Sequence, residues 1–556
     1  MTMRAPGLLL LAAVACTAPA GPAPDLLLVG GKVFTADSTK PWAEAIAIRG
    51  DRIVAVGTDA DVRTLAGAPT RVIELGGRVV VPGFNDAHDH LGPALTDLEV
   101  VTDASPIPDP TFALVRDSLR AAVGRVPAGT WLGVFIGPAV LDDPAARRAA
   151  LDAVAPKHPV VLQAWTGHGL VLNSAALTAI GLDDRSEDPL GGRLERDRAG
   201  RLTGLLEEYA DFGGWRSLAA RYPDSVQVAA LRDRAEAGVT MGITSIQNMT
   251  TALDPAKIPA LLQAAAMPVR LRMIPMPLTT ARGRELAEWD ALRQSPIPGT
   301  TVSGVKWILD GTPVERLAVL RAPYADRAGW YGRLDFPPDT LRAMLREAVE
   351  HGQQPILHIV GDSAISLALH LMTEVAPDSV WRRLRPRIEH GEGLMPDLIP
   401  LARNLGVIVV QNPTHFALGP LFLARYGKER AGKTQLLRSL LAAGLPLAVG
   451  SDGPQNPFLN IMLAILHPDN PTEAITVEQA VTAYTLGSAY AEGRETEKGS
   501  LVVGKLADLA VLSQDIFTVP PPQLPASVSL LTLVGGRIVH DAGSLTGTLP
   551  ARPRGR

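Results

Sequence analysis

Two histidines separated by one residue are the first place in this sequence where side-chain type and spacing point to chemistry. Residues 79–91 run from an apolar stretch through a Pro-Gly break into His88, Asp89 and His90. Because alternate side chains of an extended strand face the same way, His88 and His90 would present two imidazoles to one point. Imidazole nitrogens are ligands for zinc and similar ions. The pair alone is a weak signal, and it predicts a metal site only together with later ligands.

Four later residues supply candidate ligands. Lys306, His358, His390 and Asp452 lie in or directly after short apolar runs of the sequence. Each alone has an ordinary structural interpretation, as a core histidine, a salt-bridged lysine or a turn aspartate. Together, in this order and at successive strand ends, they predict one metal-binding site.

Alternating strands and helices must position these residues. After the run that ends at His88, apolar runs recur at residues 242–247, 269–274, 302–309, 355–358, 386–390, 407–411 and 447–452. Eight such strands with helical patterns between them predict an α/β fold, a (β/α)8 TIM barrel, whose functional sites lie at the C-terminal strand ends. Residues 95–235 form a large insertion after the first strand, with strands of its own near 130–136 and 159–165. We expect this insertion to cover the pocket.

Short strand patterns stand at both ends of the chain. They occupy residues 26–34, 45–56 and 72–80, and return at 499–512 and 534–539. Gly50-Asp51 and Gly76-Gly77 predict hairpins. Neither region can bury a face alone, so we expect one small β-sandwich. The predicted division is 25–82 and 491–545 for the sandwich, 83–490 for the barrel with its insertion, and 546–556 for a flexible tail.

Composition narrows the class of protein. The chain has 556 residues, enough for a large core and an accessory domain. A formal net charge of -4 and an aromatic content of 4% argue against a nucleic-acid partner. After the N-terminus, no apolar run reaches the roughly 18 residues of a membrane span.

Residues 1–24 predict a signal peptide and a tether. A basic start, an apolar core at residues 8–14 and a small-x-small site precede Cys16, the only cysteine. This resembles a bacterial lipoprotein signal, which predicts a lipid anchor at Cys16 and a periplasmic or outer-membrane-anchored protein. Ala13 stands where that pattern prefers Leu, so cleavage after Ala15 with simple secretion, or an uncleaved segment, stays open.

As a whole, the chain resembles the amidohydrolase superfamily, and more closely its amidohydrolase 3 (YtcJ-like) branch, which includes N-substituted formamide deformylases. The resemblance covers roughly residues 26–543 and rests on ten ordered motifs, at 82–90, 151–168, 173–177, 203–208, 305–311, 323–326, 358–362, 387–390, 411–415 and 450–452. Two segments depart from the branch. Ile-Val-Gly-Asp follows His358 in place of Ala-Ile-Gly-Asp, and residues 312–316 read Thr-Pro-Val-Glu-Arg in place of a Gly-Ser-Arg run. The second departure affects the assignment of substrate-binding residues more than the assignment of metal ligands.

The resemblance implies a metal-dependent amidohydrolase that breaks the amide, N-acyl or N-formyl C–N bond of a small molecule. It implies one or two divalent metals, zinc above all, held by the residues His88, His90, Lys306, His358, His390 and Asp452. A carbamylated Lys306 would bridge two metals, with the carboxylate of Glu208 as the alternative bridge. Burial or a nearby cation would favour the neutral amine that carbamylation needs.

The resemblance also implies catalytic roles. Asp452 would take a proton from metal-activated water and pass it to the leaving amine, and His390 or His168 would stabilise the oxyanion. His168 and His415 are candidate substrate contacts. We expect the remaining histidines to be structural: His158, His351, His370, His467 and His540. Three alternatives stay open: ester hydrolysis, a lyase or isomerase reaction at the same site, or a catalytically inactive lipid-anchored binding protein. The oligomeric state is also open, with a homodimer as one candidate. A scaffold has no need of this donor set, which argues against the binding protein.

Overall fold

The computed structural model describes residues 22–103, 105, 107–294 and 296–545. Cys16 with the predicted signal segment, and the predicted tail at 546–556, lie outside the described residues. Within the described part of the chain, no helix has both the length and the apolar character needed to cross a membrane.

Nine parallel strand segments form the centre of the fold. In chain order they are β1 Phe84–Asp89, β2 Ile243–Asn248, β3 Arg270–Met273, β4 Thr300–Val302, β5 Val305–Ile308, β6 Pro355–Ile359, β7 Arg387–His390, β8 Ile408–Gln411 and β9 Leu447–Val449. They make two sheets, in the orders β4-β3-β2-β1 and β5-β6-β7-β8-β9. Strands such as β8 are buried along their whole length, as their continuous apolar sequences predict.

The eight predicted strand positions are all occupied, but the fourth is split. Ser303-Gly304 interrupts the 302–309 run, and Gly304 has a φ of +75° that most other residues avoid. The break lets β4 pair with β3 while β5 pairs with β6. The backbone N–H of Lys306 donates to the Pro275 carbonyl at 2.7 Å, so the two sheets touch at this break.

Helices alternate with these strands. In Pro338–Glu350 the residues Leu341, Met344, Leu345 and Ala348 are buried, at the spacing of an amphipathic helix. The other helices of this region are Asp224–Thr240, Ile258–Ala265, Ala287–Arg293, Asp362–Val375, Asp378–Leu384, Ile399–Leu405, Gly419–Tyr426, Lys428–Ala431, Leu437–Ala442, Pro457–Leu466, Val477–Thr482 and Ser488–Glu492.

Strands from the two ends of the chain share one sheet. Its order is Arg537–Asp541, Ser529–Val534, Leu509–Leu512, Val79–Pro82, Lys32–Phe34 and Trp42–Ala43. A second sheet has the order Arg52–Gly57, Ala45–Arg49, Leu26–Val29 and Arg71–Glu74, and the short helix Asp59–Arg63 follows its edge strand. Leu28, Val80 and Leu531 belong to one apolar cluster that joins the two sheets.

One of the two predicted hairpins forms and the other does not. Arg49 faces Arg52 across the Gly50-Asp51 turn, so the first hairpin is confirmed. The prediction at Gly76-Gly77 is wrong, because Arg71–Glu74 pairs in parallel with Leu26–Val29 while Val79–Pro82 belongs to the other sheet. Both glycines have positive φ and carry the chain from one sheet to the next.

The insertion has a sheet of its own. Its order is Gly192–Arg196, Leu202–Glu208, Gly169–Leu172, Val160–Ala164, Leu132–Ile136 and Leu98–Glu99, which includes both predicted strands. Its helices are Phe112–Val123, Pro138–Leu141, Arg148–Val154, Ser174–Ala179 and Tyr209–Ala219. Residues of the loop before Gly169–Leu172 and of the last helix line the cavity described next, so the insertion contributes part of its wall.

Candidate functional site

The predicted site residues converge on one cavity at the C-terminal ends of the parallel strands. Seven of them line a cavity of about 270 Å³: His88, His90, His168, Lys306, His358, His390 and Asp452. His415 lines an adjoining cavity of about 160 Å³, which shares His168, His358, His390 and Asp452 with the first. Among the described residues, Glu208 lines neither cavity.

His88 and His90 point their Nε2 atoms at the same place. These atoms lie 3.1 Å apart, and Asp452 Oδ1 is 3.7 Å from the first and 3.4 Å from the second. Donor atoms of His88, His390 and Asp452 all lie within 4.8 Å of one another. Two imidazoles and a carboxylate at this spacing are a suitable donor set for a divalent ion such as zinc.

His358 and His390 are buried beside this group. Their ring centroids lie 4.4 Å apart, and within the described residues His358 Nε2 and His390 Nδ1 have no hydrogen-bond partner. Burial lowers the pKa of both rings well below the ordinary value, and the neighbouring imidazoles add to the effect. A buried polar atom without a partner costs about 1–3 kcal/mol. Neutral, unpartnered imidazole nitrogens therefore fit residues that bind a metal ion.

The backbone is strained where two of these side chains emerge. His390 has a φ of +67° and Asp452 a φ of +40°, a region that residues other than glycine rarely adopt. Gly450 allows the segment after β9 to approach β1, because an added Cβ would lie 2.4 Å from the His88 backbone nitrogen. The Asp452 N–H then donates to the His88 carbonyl at 2.9 Å. This contact fixes Asp452 next to the two histidines of β1.

Glu389 orients His88, a role that the sequence did not reveal. His88 Nδ1 donates to Glu389 Oε2 at 2.7 Å, which leaves Nε2 free for the cavity. Arg387 donates to both oxygens of Glu389, at 2.8 and 2.9 Å, and all three side chains are buried. Burial alone would raise the pKa of Glu389, but Arg387 and His88 hold it well below its ordinary value. The available signal was the Arg-x-Glu alternation, which puts both side chains on one face of β7.

Lys306 is fully buried as the second residue of β5, not at the C-terminal strand end where the sequence predicted it. Its Nζ lies 3.3 Å from the thioether sulfur of Met249. Burial lowers the pKa of Lys306 to about 8, with a further contribution from Arg387, while the carboxylates Glu389 and Asp452 oppose the shift. About a tenth of the amine is therefore neutral at pH 7, far more than for an exposed lysine.

His168 and Glu208 form a buried ion pair behind the cavity. His168 Nδ1 donates to the Glu208 carboxylate, at 2.9 and 3.1 Å from its two oxygens. Burial acts to lower the pKa of His168, but Glu208 overcomes it and raises that pKa to about 9. The cationic ring lies against His358, with centroids 4.7 Å apart. Glu208 is therefore the hydrogen-bond acceptor and counter-ion of His168 in this arrangement, and His168 presents a positive charge to the cavity.

His415 pairs with a carboxylate that the sequence also did not single out. Its Nδ1 lies 3.5 Å from Glu392 Oε1, its Nε2 lies 3.7 Å from Asp452 Oδ2, and its ring stacks on His390. Burial opposes protonation, but Glu392 and Asp452 raise the pKa of His415.

Five histidines lie outside the matched motifs, and contacts are seen for four of them. Ring nitrogens of four of them contact backbone carbonyl groups within 3.2 Å: His158, His370, His467 and His540. None of these five histidines is among the described residues that line the two cavities.

Comparison with known sequences identifies the family of this chain. A family model described as "Amidohydrolase family" matches residues 71–540. Protein LONG AFTER FAR-RED 3 of Arabidopsis thaliana is 30% identical over 562 residues, covering 94% of this chain and 93% of that protein. N-substituted formamide deformylase of Arthrobacter pascens is 28% identical over 548 residues, covering 93% of this chain and 98% of that enzyme.

Solved structures share the fold. An uncharacterized metal-dependent hydrolase from Pyrococcus furiosus has a TM-score of 0.67 at 22% identity, covering 89% of this chain and all of that one (100%). An adenosine deaminase from Xanthomonas campestris with bound zinc has a TM-score of 0.52 at 16% identity, covering 95% of this chain and 96% of that one. At these identities the likeness establishes the fold alone.

Proposed function

This chain belongs to the amidohydrolase family and is a metal-dependent hydrolase of carbon–nitrogen bonds, and we propose that the bond it breaks is an amide or N-acyl bond of a small molecule. One observation carries the proposal. The Nε2 atoms of His88 and His90 lie 3.1 Å apart, beside the Asp452 carboxylate. Next to them are His358 Nε2 and His390 Nδ1, which have no hydrogen-bond partner among the described residues.

We propose that the metal is zinc and that the donors form two sets. His88, His90 and Asp452 would hold one ion, and His358 with His390 would hold a second. A bound divalent ion supplies Lewis acidity and makes hydroxide available near neutral pH.

Lys306, rather than Glu208, is the better candidate for a bridging ligand. Lys306 lines the cavity and has a lowered pKa of about 8, so its neutral amine is available to react with CO2. In that reaction the amine nitrogen forms a bond to carbon and one proton is released, giving a carbamate with two donor oxygens. Glu208 is occupied by His168, from which it accepts at 2.9 and 3.1 Å.

Asp452 would transfer the proton, and His168 would stabilise the developing negative charge. Burial alone would raise the pKa of Asp452, but the imidazoles of His88, His90 and His390 hold it well below the ordinary value. The carboxylate is therefore ionised at neutral pH, and it would act as the general base that takes a proton from the attacking water and delivers it to the leaving nitrogen. The cationic His168 ring would stabilise the negative charge that develops on the carbonyl oxygen. His390 would support the same charge, and His415 would contact the substrate.

We also propose a closed (β/α)8 barrel with an attached β-sandwich, divided at the residues predicted from the sequence. Contacts at both ends of the two parallel sheets support closure: Lys306 N donates to the Pro275 carbonyl at 2.7 Å, and Asp452 N donates to the His88 carbonyl at 2.9 Å. The antiparallel pairing of Val79–Pro82 with Leu509–Leu512 supports the sandwich.

A matched amide and ester panel tests the reaction. Zinc-loaded protein would be incubated with pairs of small formamides and acetamides and their ester analogues, and products would be identified by mass spectrometry. Hydrolysis of amides that disappears in His88→Ala supports the proposal. Turnover of esters alone would favour the alternative reaction, and elimination or isomerised products would favour lyase or isomerase chemistry.

For its location we propose export with a lipid anchor at Cys16, on the basis of the sequence alone. Membrane fractionation of the full chain and of Cys16→Ser, expressed in a bacterium, tests this. The anchor predicts that only the unsubstituted chain stays with the membrane and carries a diacylglyceryl mass. Recovery of both proteins from the soluble periplasm would exclude it.

A further inference from the structure

One arginine of the cavity wall joins two of the elements that carry metal-binding residues. Arg234 lies on the helix Asp224–Thr240 and is one of the residues that line the cavity of about 270 Å³. Its Nη2 atom donates to Asp89 Oδ1 at 2.8 Å and to the Gly453 carbonyl at 2.9 Å. Because this nitrogen carries two hydrogens, it can make both bonds at once. Arg234 therefore bridges strand β1 and the segment that follows β9.

Asp89 is the end of this bridge on β1. It stands between the two histidines of that strand and is 1% exposed. Its Oδ1 also accepts from the backbone N–H of His90 at 2.9 Å, and its Oδ2 accepts from Gln455 Nε2 at 2.6 Å. A buried carboxylate needs a counter-charge, and Arg234 is the cation that contacts it. Both oxygens of Asp89 are thus engaged, which gives the bridge a defined geometry.

The backbone of Asp452, at the other end of the bridge, is strained and is held from both sides. Its φ of +40° is a conformation that persists only where surrounding contacts determine it. On the N-terminal side, the N–H groups of Ser451 and Asp452 donate to β1, at 2.8 and 2.9 Å. On the C-terminal side, β1 is reached through Arg234 and Gln455, which both contact Asp89. Loss of the arginine would weaken the second of these two attachments.

Arg234 is committed to the bridge and is not a core residue. Its charge is compensated by Asp89, so it offers little attraction to an anionic substrate. Its side chain is 35% exposed, so its truncation opens no cavity in an apolar core. The effect of a substitution should therefore come from the lost bridge and the lost ion pair.

We propose that Arg234 is a positioning residue for Asp452. By joining Asp89 to Gly453, it fixes the Asp452 carboxylate beside the two histidines of β1. This inference rests on the proposed function, in which Asp452 binds metal and transfers the proton. Loss of a group that orients a metal ligand lowers metal affinity by about 10- to 100-fold, and a displacement of about 1 Å at a catalytic group can cost about 100-fold in rate.

Zinc titration against a competing chelator tests the proposal. Arg234→Ala should bind one zinc ion about 10- to 100-fold more weakly than the unsubstituted protein, and Arg234→Lys, which keeps the charge and part of the bridge, should lie between them. Arg232→Ala is the matched control. Arg232 lies on the same helix, donates to the carbonyls of Ala264 and Ala265, and is not among the described residues that line either cavity. Equal zinc affinity in folded Arg234→Ala and Arg232→Ala would overturn the proposal.

A double variant separates positioning from the loss of a counter-charge. Arg234→Ala leaves Asp89 as a buried carboxylate without its cation, which itself destabilises the fold. Arg234→Ala combined with Asp89→Asn removes both charges, so the fold should recover while the bridge to Gly453 stays absent. Zinc affinity that stays low in the double variant supports the proposal. Recovery of full affinity would overturn it, because the loss would then come from the unpaired charge alone.

A spectroscopic readout distinguishes positioning from a general effect on stability. The visible absorption of bound cobalt(II) depends on the ligands and their geometry. We expect this spectrum to change in Arg234→Ala and to return toward that of the unsubstituted protein in Arg234→Lys, with both variants folded by circular dichroism. An unchanged spectrum in Arg234→Ala would overturn the proposal. Absence of zinc and cobalt binding in the unsubstituted protein would instead refute the proposed function, and this inference with it.

Discussion

Replacing Glu389 by glutamine should weaken metal binding although Glu389 does not line the cavity. Glu389 Oε2 accepts from His88 Nδ1 at 2.7 Å, and Glu389 also accepts two hydrogen bonds from Arg387. A glutamine amide has one acceptor and one donor end. If its oxygen stays with Arg387, its NH2 faces His88 Nδ1 and drives the ring proton to Nε2. That nitrogen is the one that points at His90 and Asp452.

The expected loss in Glu389→Gln is about 10- to 100-fold in metal affinity, which is the usual effect of removing a carboxylate that orients a metal-binding histidine. This corresponds to about 1.4–2.7 kcal/mol of binding free energy. The buried Arg387 also loses its counter-charge, so we expect a fall of about 3 kcal/mol in the free energy of unfolding.

Zinc titration against a competing chelator measures the affinity, and circular dichroism checks the fold. Glu347→Gln is the matched control, because Glu347 accepts two 2.7 Å hydrogen bonds from Arg284 at a position outside both cavities. Glu389→Asp, which keeps the charge on a shorter arm, should lie between glutamine and the unsubstituted protein. Equal zinc affinity in Glu389→Gln and Glu347→Gln, with both folded, would refute the orienting role.

Two further predictions concern protons and charge. His168→Asn should lower kcat by about 10²- to 10³-fold with a small change in KM, because it removes a cation that stabilises the developing oxyanion; a change confined to KM would contradict this. In metal-free protein, His88 and His168 should contribute opposite pH dependences to the free energy of unfolding. Burial lowers the pKa of His88 to about 4, so the contribution of His88 to stability is lost as pH falls from about 6.5 toward 4. Glu208 raises the pKa of His168 to about 9, so the contribution of His168 is lost as pH rises from about 6.5 toward 9. Each of these two contributions amounts to about 3 kcal/mol. Denaturation midpoints measured across pH should show that His88→Asn removes only the loss of stability toward acid pH and His168→Asn only the loss toward alkaline pH. Unchanged pH profiles in the variants would contradict the assignment.

The sequence predicted the strand ends well because their signal is local. Alternation puts His88 and His90 on one face, and apolar runs bounded by helical patterns locate the strands that bear His358 and His390. The split of the fourth strand was hidden, since Gly304 breaks an otherwise apolar run. The failed hairpin has a similar cause: a glycine pair such as Gly76-Gly77 permits a sharp turn but does not fix which sheet the next strand joins.

Partners of the site residues could not be predicted, because they come from distant parts of the chain. His88 and Glu389 are separated by 301 positions, and His168 reaches the cavity from the insertion, outside the strand pattern. The periodicity of β7 shows that Arg387 and Glu389 share a face, but it does not show that the face meets β1. Glu208 illustrates the same limit. A carboxylate is a suitable bridging ligand, but in the structure Glu208 accepts a hydrogen bond from His168.

We expect this strand-end cavity to bind catalytic metal through His88 and Lys306. Metal content by elemental mass spectrometry tests this expectation, on protein purified without chelator and then supplied with zinc. The unsubstituted protein, His88→Ala and Lys306→Ala would be compared. We predict about two zinc equivalents in the unsubstituted protein and fewer in both variants. About one equivalent, lost only in His88→Ala, would indicate a mononuclear site and contradict the role of Lys306. No metal in any of the three folded proteins would contradict the claim itself.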